Sequence, residues 1–500
     1  MKTTKKIADI CLIIEGSYPY VKGGVASWVH QILTNYSEFT FDLVVLVASD
    51  KTKLVSKYDL PSNVNKVYNL PIRREVKVPI FSKKRMKHFP LFEKFLSTFF
   101  DFQEFENLIK NLIKLNKNEK YRLLEDSLYS EEIFDYINEF YQNSREFKTK
   151  PYIDFFWSLR SIYFSFLNVL IFDMPKAKVY HTISTGYAGL CASICKIKYP
   201  NSRLLITEHG IYTRERKMDI TIADWSDRDY EAYNPKNNIS LYKNMWEDSF
   251  EIISKTTYKY CDEILSLNLK NNLIQIKEGA QEDKVYFVRN GINLSRFNFI
   301  ERKSINKESI KIGFLGRVVN IKDVKTFIKA ADIVKSSYPT VSFLIAGPND
   351  EDIDYFNSCQ DLVNALNLKD NVKFIGTVKA EDFLQEIDIM VLTSLSEGQP
   401  LVIGEANACG VPCVVTDVGG SAEMVLGGAD DTIGPSGIVT KSVNPIQTAN
   451  GILKFIENEK FYNDCSKNGV KRVKTFYNEQ TFLNKYREIY QNNIAKSETI

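Results

Sequence analysis

The segment EGQPLVIGE carries two carboxylates, Glu397 and Glu405, around a candidate helix start. Pro400 suits the first turn of a helix, Gly410 suits its end, and Pro412 enforces the stop. Glu397 then falls in the loop before the helix and Glu405 in its second turn. Over Gly398, Gln399, Pro400 and Leu401, the backbone N–H groups at such a start, which proline lacks, have no helical partners and suit an anion or sugar hydroxyls. An acid near a helix start can also stabilise the helix with no catalytic role. That plain reading leaves the adjoining Gly-Gln-Pro unexplained.

A second segment, GRVVNIKDVKTFIKA over 316–330, leaves a strand at Gly316 and sets Arg317 and Lys322 on the connection to a helix. Two cations there can bind a diphosphate and hold its growing charge as it departs, in place of a divalent metal. The plain alternative is a surface ion pair. The acidic run Asp350, Glu351 and Asp352 reads as a solvated loop. A third segment, EGSYPYVKGGVASWVHQIL over 15–33, opens a helix at Gly23 and Gly24, where backbone can approach a ligand closely. The spacing is not GxGxxG, which argues against a dinucleotide site. In ITEHGIYTRER, 206–216, His209 follows a buried strand, with Glu208, Arg214 and Arg216 nearby. It is expected to face a cleft from the side opposite Glu397. His30, His88 and His181 read as satisfied polar groups. Asn290 and Gly291, in VRNGINLSRF, mark a tight turn at a strand end.

Strand ends must converge to assemble these groups. ADICLII (8–14), FDLVVLVA (41–48), KVYHTI (178–183), RLLITE (203–208) and EILSLN (263–268) read as buried strands. A second series follows: KIGFLG (311–316), VSFLIAG (341–347), VKFIG (372–376), DIMVLTS (388–394) and PCVVTD (412–417). Short apolar strands alternating with helices predict α/β architecture with parallel sheets covered on both faces. The polar stretch ERKSINKE, 301–308, sets the boundary between two doubly wound domains, 1–302 and 303–477. Ligands belong at the carboxyl ends of their strands. The first series is interrupted over about 51–150, which reads as a helical insertion because Phe95, Phe99, Phe102, Phe105, Ile109, Leu112 and Ile113 keep helical spacing. The basic run 73–88 reads first as a solvated loop and second as a docking patch for a membrane surface or partner. Residues 478–500 read as a last helix, with Phe482, Tyr486 and Tyr490 on one face, crossing back to the first domain.

With 500 residues the chain fits about two to four domains. Its 65 basic and 62 acidic residues leave a charge of +3, which gives no support to a nucleic-acid binder working through a general basic field. The apolar run 155–172 carries Arg160 and Asn168 and reads as a buried helix before an interfacial one. ADICLII is too short for a signal peptide. The eight cysteines are scattered without a CxxC pair, so a reducing cytoplasm is the expected compartment.

In this order, GG (23–24), EHG (208–210), NGIN (290–293), GR-x4-K (316–322) and Glu397-x7-Glu405 resemble the GT-B glycosyltransferases of family 4, retaining enzymes that use nucleotide-sugar donors. The resemblance implies two Rossmann-like doubly wound domains facing a cleft. It implies that Arg317 and Lys322 neutralise the donor diphosphate and that Glu405 accepts hydrogen bonds from ribose hydroxyls. Glu397 and the amides of Gly398 to Leu401 would hold the transferred sugar, and His209 would contact it from the other domain. Gly23 and Gly24 would approach the diphosphate or the acceptor. The implied partners are a UDP-sugar and an oligo- or polysaccharide acceptor, a growing exopolysaccharide, with no cofactor, no metal and no nucleic acid. Docking to an inner-membrane polysaccharide synthase complex, at the cytoplasmic face, is the partner expectation. The donor stays open among UDP-glucose, UDP-N-acetylglucosamine and UDP-N-acetylgalactosamine. A nucleotide-sugar epimerase or hydrolase, and a non-catalytic nucleotide-sugar-binding subunit, are the competing classes. Three positions depart from the family: Asn320 and Arg289 stand where prolines are usual, and Gly404 where a bulkier residue is.

Overall fold

The structure is a computed structural model that describes residues 7–21, 23–73, 89–90, 93–94, 102–149, 151–222, 241–297, 299, 305–428 and 430–497. The chain divides into two compact units: 1–265 with 274–286 and 487–500, and 266–273 with 287–486.

The first sheet contains β1 (Ala8–Glu15), β2 (Phe41–Ser49), β3 (Val64–Arg73), β4 (Ala177–Thr182), β5 (Arg203–Glu208), β6 (Glu263–Ser266) and β7 (Val285–Phe287) in the order β3-β2-β1-β4-β5-β6-β7. Ile10 to Ile14 are fully buried because both faces of the sheet are covered. β1 runs parallel to β2, with Ile10 opposite Phe41, and parallel to β4, with Ile10 opposite Val179. Strand order reverses between β1 and β4, so the loop leaving β1 toward Gly23 and Gly24 lies at the switch point of the sheet, where open α/β folds hold ligands.

The stretch 51–150 is not helical throughout, which corrects the sequence reading. Val64–Arg73 is a strand on the sheet edge, pairing Val67 with Leu43 and Pro71 with Val47. Its half-exposed pattern and its proline, tolerated only at an edge, hide it from a search for buried strands. Helices Phe102–Lys114, Lys117–Tyr129, Glu131–Asn143 and Tyr152–Ile171 follow. Phe105, Ile109, Leu112, Ile133 and Ile137 join the same core as Cys11, Ile13 and Val44. Phe95, Phe99 and residues 74–88 of the basic run lie outside the described residues. Helix Tyr152–Ile171 buries Phe155, Leu159, Ile162 and Phe166 against that core. Among the described residues, no helix is long and apolar enough to cross a membrane.

The second sheet contains β8 (Lys311–Leu315), β9 (Ser342–Ala346), β10 (Val372–Gly376), β11 (Ile389–Leu392), β12 (Cys413–Thr416) and β13 (Gly437–Thr440), in the order β10-β9-β8-β11-β12-β13. Its pairings are parallel, and the order reverses between β8 and β11. β7 and β13, three and four residues long, are absent from the strand series read in the sequence. The chain contributes 266–273 to the second unit and returns to it at Phe287, ahead of the 301–308 stretch where the sequence set the boundary. The last helix, Glu479–Ser497, divides between Tyr486 and Arg487. In the second unit its start presses on Gly291, where an added Cβ would lie 2.4 Å from the Glu479 backbone. In the first unit, Tyr490 is buried and its hydroxyl lies 2.7 Å from Nδ1 of His181.

Candidate active site

In the second unit, the loop after β11 and the helix Leu401–Ala408 form the centre of the site. Pro400 caps the helix at φ −71 with no side-chain cap, and Gly410 ends it in the left-handed region at φ +73. Glu397 accepts from Ser394 Oγ at 2.6 Å and from Lys322 Nζ at 2.5 Å. The Gly398 carbonyl accepts from Asn268 Nδ2 at 3.0 Å and from the Gly420 amide at 2.7 Å. Gly419, at φ +50, packs so tightly here that an added Cβ would sit 1.7 Å from the Glu397 carbonyl oxygen.

The Gln399 side chain is engaged by the chain itself. Its Oε1 accepts from the Asn290 amide at 2.8 Å, and its Nε2 donates to the Asn290 carbonyl at 3.3 Å. Both residues are buried. Buried main-chain groups at a strand end need partners, and Gln399 supplies them. Its side chain therefore braces the loop. Asn290 Oδ1 is buried with no hydrogen-bond partner.

Glu405 occupies the second turn of the helix. Burial pushes its pKa up to about 7, the Arg296 charge pulls it down, and Glu381 raises it. Arg296 is itself held by Glu381 at 3.0 Å. Gly404 before it has a structural account: a Cβ there would meet Ile292 of the NGIN turn at 2.8 Å. The helix lacks a bulkier residue at that point so that this turn can pack on it.

The cations sit on the connection after β8. Arg317 Nη1 lies 2.5 Å from Oε1 and 2.7 Å from Oε2 of Glu351. Glu351 stays exposed, in keeping with the solvated-loop reading, and its carboxylate pairs with Arg317. Arg317 thus takes the surface ion pair that was the plain alternative. Asn320 begins the short turn Asn320–Lys322, and Asp323, at φ +44, caps the following helix through the Thr326 amide. Thr393 Oγ1 donates to the carbonyls of Lys322 and Asp323, at 3.2 and 2.8 Å. The Leu395 amide donates to Ile321 at 2.8 Å. Those bonds hold the Lys322 turn against the loop that carries Glu397. Arg289 bridges Glu423 at 2.9 Å and Asp430 at 2.8 Å.

In the first unit, His209 follows β5 with its ring edge-on to Trp28 at a centroid distance of 4.9 Å. Burial pulls its pKa down to about 4, and its Nε2 has no hydrogen-bond partner. It is therefore a neutral ring with an unused nitrogen. Glu208 is fully buried and receives Thr185 Oγ1, Tyr258 OH and Gln275 Nε2 at 3.1, 2.6 and 2.8 Å. Desolvation raises its pKa, and those three donors oppose the shift. His181 and His30 have partners, His181 with Tyr490 and Thr207 and His30 with Tyr18. His88 lies outside the described residues.

Gly23 and Gly24 have open space where a Cβ would stand, and Gly23 has extended backbone at φ 172. The chain itself does not require glycine at either position, which leaves the approach clear. Glu15 was not singled out from the sequence. It accepts from Ser184 Oγ at 3.1 Å and from the Ala188 amide at 2.8 Å, capping helix Tyr187–Lys198, whose own cap residue is Gly186. Among the described residues no group of three or more His, Cys, Asp or Glu side chains is placed to hold a metal ion.

Two Rossmann-like domains in one chain define the GT-B type of α/β architecture. The C-terminal one matches the family model of glycosyl transferases group 1 over residues 295–472. The chain belongs to the family described as Domain of unknown function (DUF3492), whose model matches residues 8–283. Among curated relatives, it is 26% identical over 253 residues to the N,N'-diacetylbacillosaminyl-diphospho-undecaprenol alpha-1,3-N-acetylgalactosaminyltransferase of Campylobacter jejuni, covering 47% of this chain and 62% of that protein. It is 26% identical over 242 residues to the N-acetyl-alpha-D-glucosaminyl L-malate synthase of Bacillus anthracis, covering 48% and 59%. The chain thus spans less than two thirds of the length of these relatives. Among solved structures, Anabaena HepE in complex with UDP aligns over 97% of this chain and 100% of its own, with a TM-score of 0.58 at 14% identity. Sucrose-phosphate synthase of Thermosynechococcus elongatus aligns over 97% and 99%, with a TM-score of 0.59 at 14% identity. These two structures share the fold.

Proposed function

We propose that the protein is a retaining, metal-independent glycosyltransferase that moves a sugar from a UDP-sugar to a growing exopolysaccharide. One observation carries the reading. A single helix, Leu401–Ala408, has the Lys322-bound Glu397 at its start and the desolvated Glu405 in its second turn. A nucleotide sugar needs such a spacing of groups: one set for the sugar and diphosphate, another for the ribose. In this reading Lys322 and Arg317 neutralise the diphosphate, taking the role of a metal. Glu397 and the amides of Gly398, Gln399 and Leu401 hold the sugar, and Glu405 accepts the ribose hydroxyls. His209 offers its unused Nε2 to the sugar, and Gly23 and Gly24 leave room for a phosphate or the acceptor. The UDP bound to HepE supports uridine as the nucleoside of the donor.

The segments SYPYVKGGVASWVHQIL, TEHGIYTRER, GRVVNIKDVKTFIKA and SEGQPLVIGEA are similar to the Pel exopolysaccharide glycosyltransferase, PelF. We therefore place the acceptor in Pel-type polysaccharide synthesis for biofilm, at the cytoplasmic face of a membrane synthase complex. The deciding experiment incubates the protein with UDP-glucose, UDP-N-acetylglucosamine and UDP-N-acetylgalactosamine, with and without an oligosaccharide acceptor. Release of UDP that needs the acceptor, with a product of retained anomeric configuration by NMR, is the expected result. UDP release without acceptor points to a hydrolase, and an inverted product rejects retention.

Two variants refine the site. Glu405 has a pKa of about 7, above the ordinary carboxylate range, because of burial. Only its ionised form accepts hydrogen bonds from both ribose hydroxyls. UDP affinity is therefore expected to rise as pH goes from 6 to 8. The phosphate titrates near ~6 and adds its own slope, so Glu405→Gln serves as the reference. It should bind more weakly and lose the part of the rise centred near 7. Identical pH profiles for the two proteins, measured by calorimetry, remove Glu405 from the ribose site. Gly419→Ala must push the Glu397 carbonyl away, because its backbone is left-handed and its Cβ would overlap that oxygen. Displacing a reacting group by about 1 Å costs roughly 10²-fold in turnover. Steady-state assays should show that loss, with UDP affinity less affected.

A further inference from the structure

We propose that Glu351 is a positioning residue of the donor site, holding Arg317 when no diphosphate is present and competing with the diphosphate for it. The proposal rests on the reading of Arg317 as a diphosphate ligand. One guanidinium nitrogen meets both carboxylate oxygens of Glu351, at 2.5 and 2.7 Å. The two residues lie on loops that are fastened together. The Gly316 amide donates to the Ala346 carbonyl and the Val318 amide to the Pro348 carbonyl, both at 2.9 Å. Gly347, at φ +140, lies so close that a Cβ would sit 2.0 Å from the Gly316 carbonyl oxygen. The backbone therefore delivers this carboxylate to this arginine. Its neighbour Asp352 has a different task, capping helix Ile353–Ala365 through the Tyr355 amide at 3.0 Å.

Exposure decides that the pair can exchange. The Arg317 and Glu351 side chains are 42% and 51% exposed, whereas those of Lys322 and Glu397 are 19% and 11% exposed. An exposed pair is held weakly and is screened by salt, so a multiply charged diphosphate can displace the carboxylate. Glu351 then stands as a negative charge next to a bound anion. It weakens nucleotide binding and takes Arg317 back as the nucleoside diphosphate leaves. Product departure limits turnover in many transferring enzymes, so a built-in competitor would speed the cycle.

The test is UDP titration and stopped-flow UDP dissociation with the full chain: wild type, Glu351→Gln, Arg317→Ala and the double variant. Glu351→Gln should bind UDP about two- to fivefold more tightly at low ionic strength and release it more slowly by a similar factor. The gain should shrink at about 0.5 M salt and vanish in the Arg317→Ala background. Unchanged or weaker UDP binding by Glu351→Gln, while Arg317→Ala is clearly weakened, overturns the proposal alone. Failure of the wild type to bind UDP, or wild-type binding by Arg317→Ala, removes the reading of the donor site and the proposal with it.

Discussion

Lys322→Ala is expected to lower sugar transfer by about 10²–10³-fold, the loss usual for one preorganised electrostatic stabiliser. The ammonium is held in place by the protein's own contacts. Its turn is anchored through the Lys322 and Asp323 carbonyls by Thr393, and through Ile321 by Leu395. Its Nζ lies 2.5 Å from Glu397 Oε1 in a part-buried setting. A cation fixed there needs little reorganisation when charge develops on the departing diphosphate. The same variant also leaves Glu397 with Ser394 as its hydrogen-bond donor, so sugar positioning suffers with diphosphate neutralisation. Arg317→Ala should fall at the lower end of the range, because its guanidinium is more exposed and is already engaged by Glu351. Turnover at saturating donor is the measurement. A loss below about tenfold for Lys322→Ala takes it out of the transition state.

Local pattern carried the strands and the main motif, and long-range pairing carried what was missed. β1, β2, β8 and β9 are apolar runs buried on both faces, and such runs are visible without any knowledge of neighbours. The helix at Leu401 was legible because Pro400 and Gly410 punctuate it. β3 was not, since an edge strand has half-exposed residues and tolerates Pro71. Nothing local marks the Gln399 side chain as a brace. Its partner, the backbone of Asn290, is over a hundred positions away, and no periodicity reports that distance. Glu351 and Asn268 escaped for the same reason: each acts on a residue brought near only by the sheet. Glu15 was read as part of a loop motif, yet its carboxylate serves a helix start far along the chain.

Arg472→Leu is expected to destabilise the second unit by about 3–5 kcal/mol, the cost of breaking a buried ion pair from one side. Arg472 is fully buried, and its Nε lies 2.5 Å from Asp431 Oδ2, with 3% of that partner's side chain exposed. The same guanidinium donates to the Val425 carbonyl and to Ser436 Oγ, each at 2.9 Å, and to the Gly434 carbonyl at 2.5 Å. Leucine fills part of the volume and satisfies none of these acceptors, so a carboxylate is left in a dry site. For a domain of this size each kcal/mol lowers Tm by about 2–4 °C, so the drop should reach roughly 10 °C. Replacing Asp431 with leucine as well should recover part of the loss, because an apolar pair avoids the uncompensated charge. The consequence for the site follows from connectivity. Val425 lies on helix Ser421–Leu426, which starts directly after Gly419 and Gly420, the two glycines packed on the Glu397 loop. Loosening the end of that helix should therefore weaken UDP binding at temperatures well below the unfolding transition. Calorimetric unfolding and UDP titration of the single and double variants measure both effects, and a Tm shift below about 2 °C would show that the pair is not held as described.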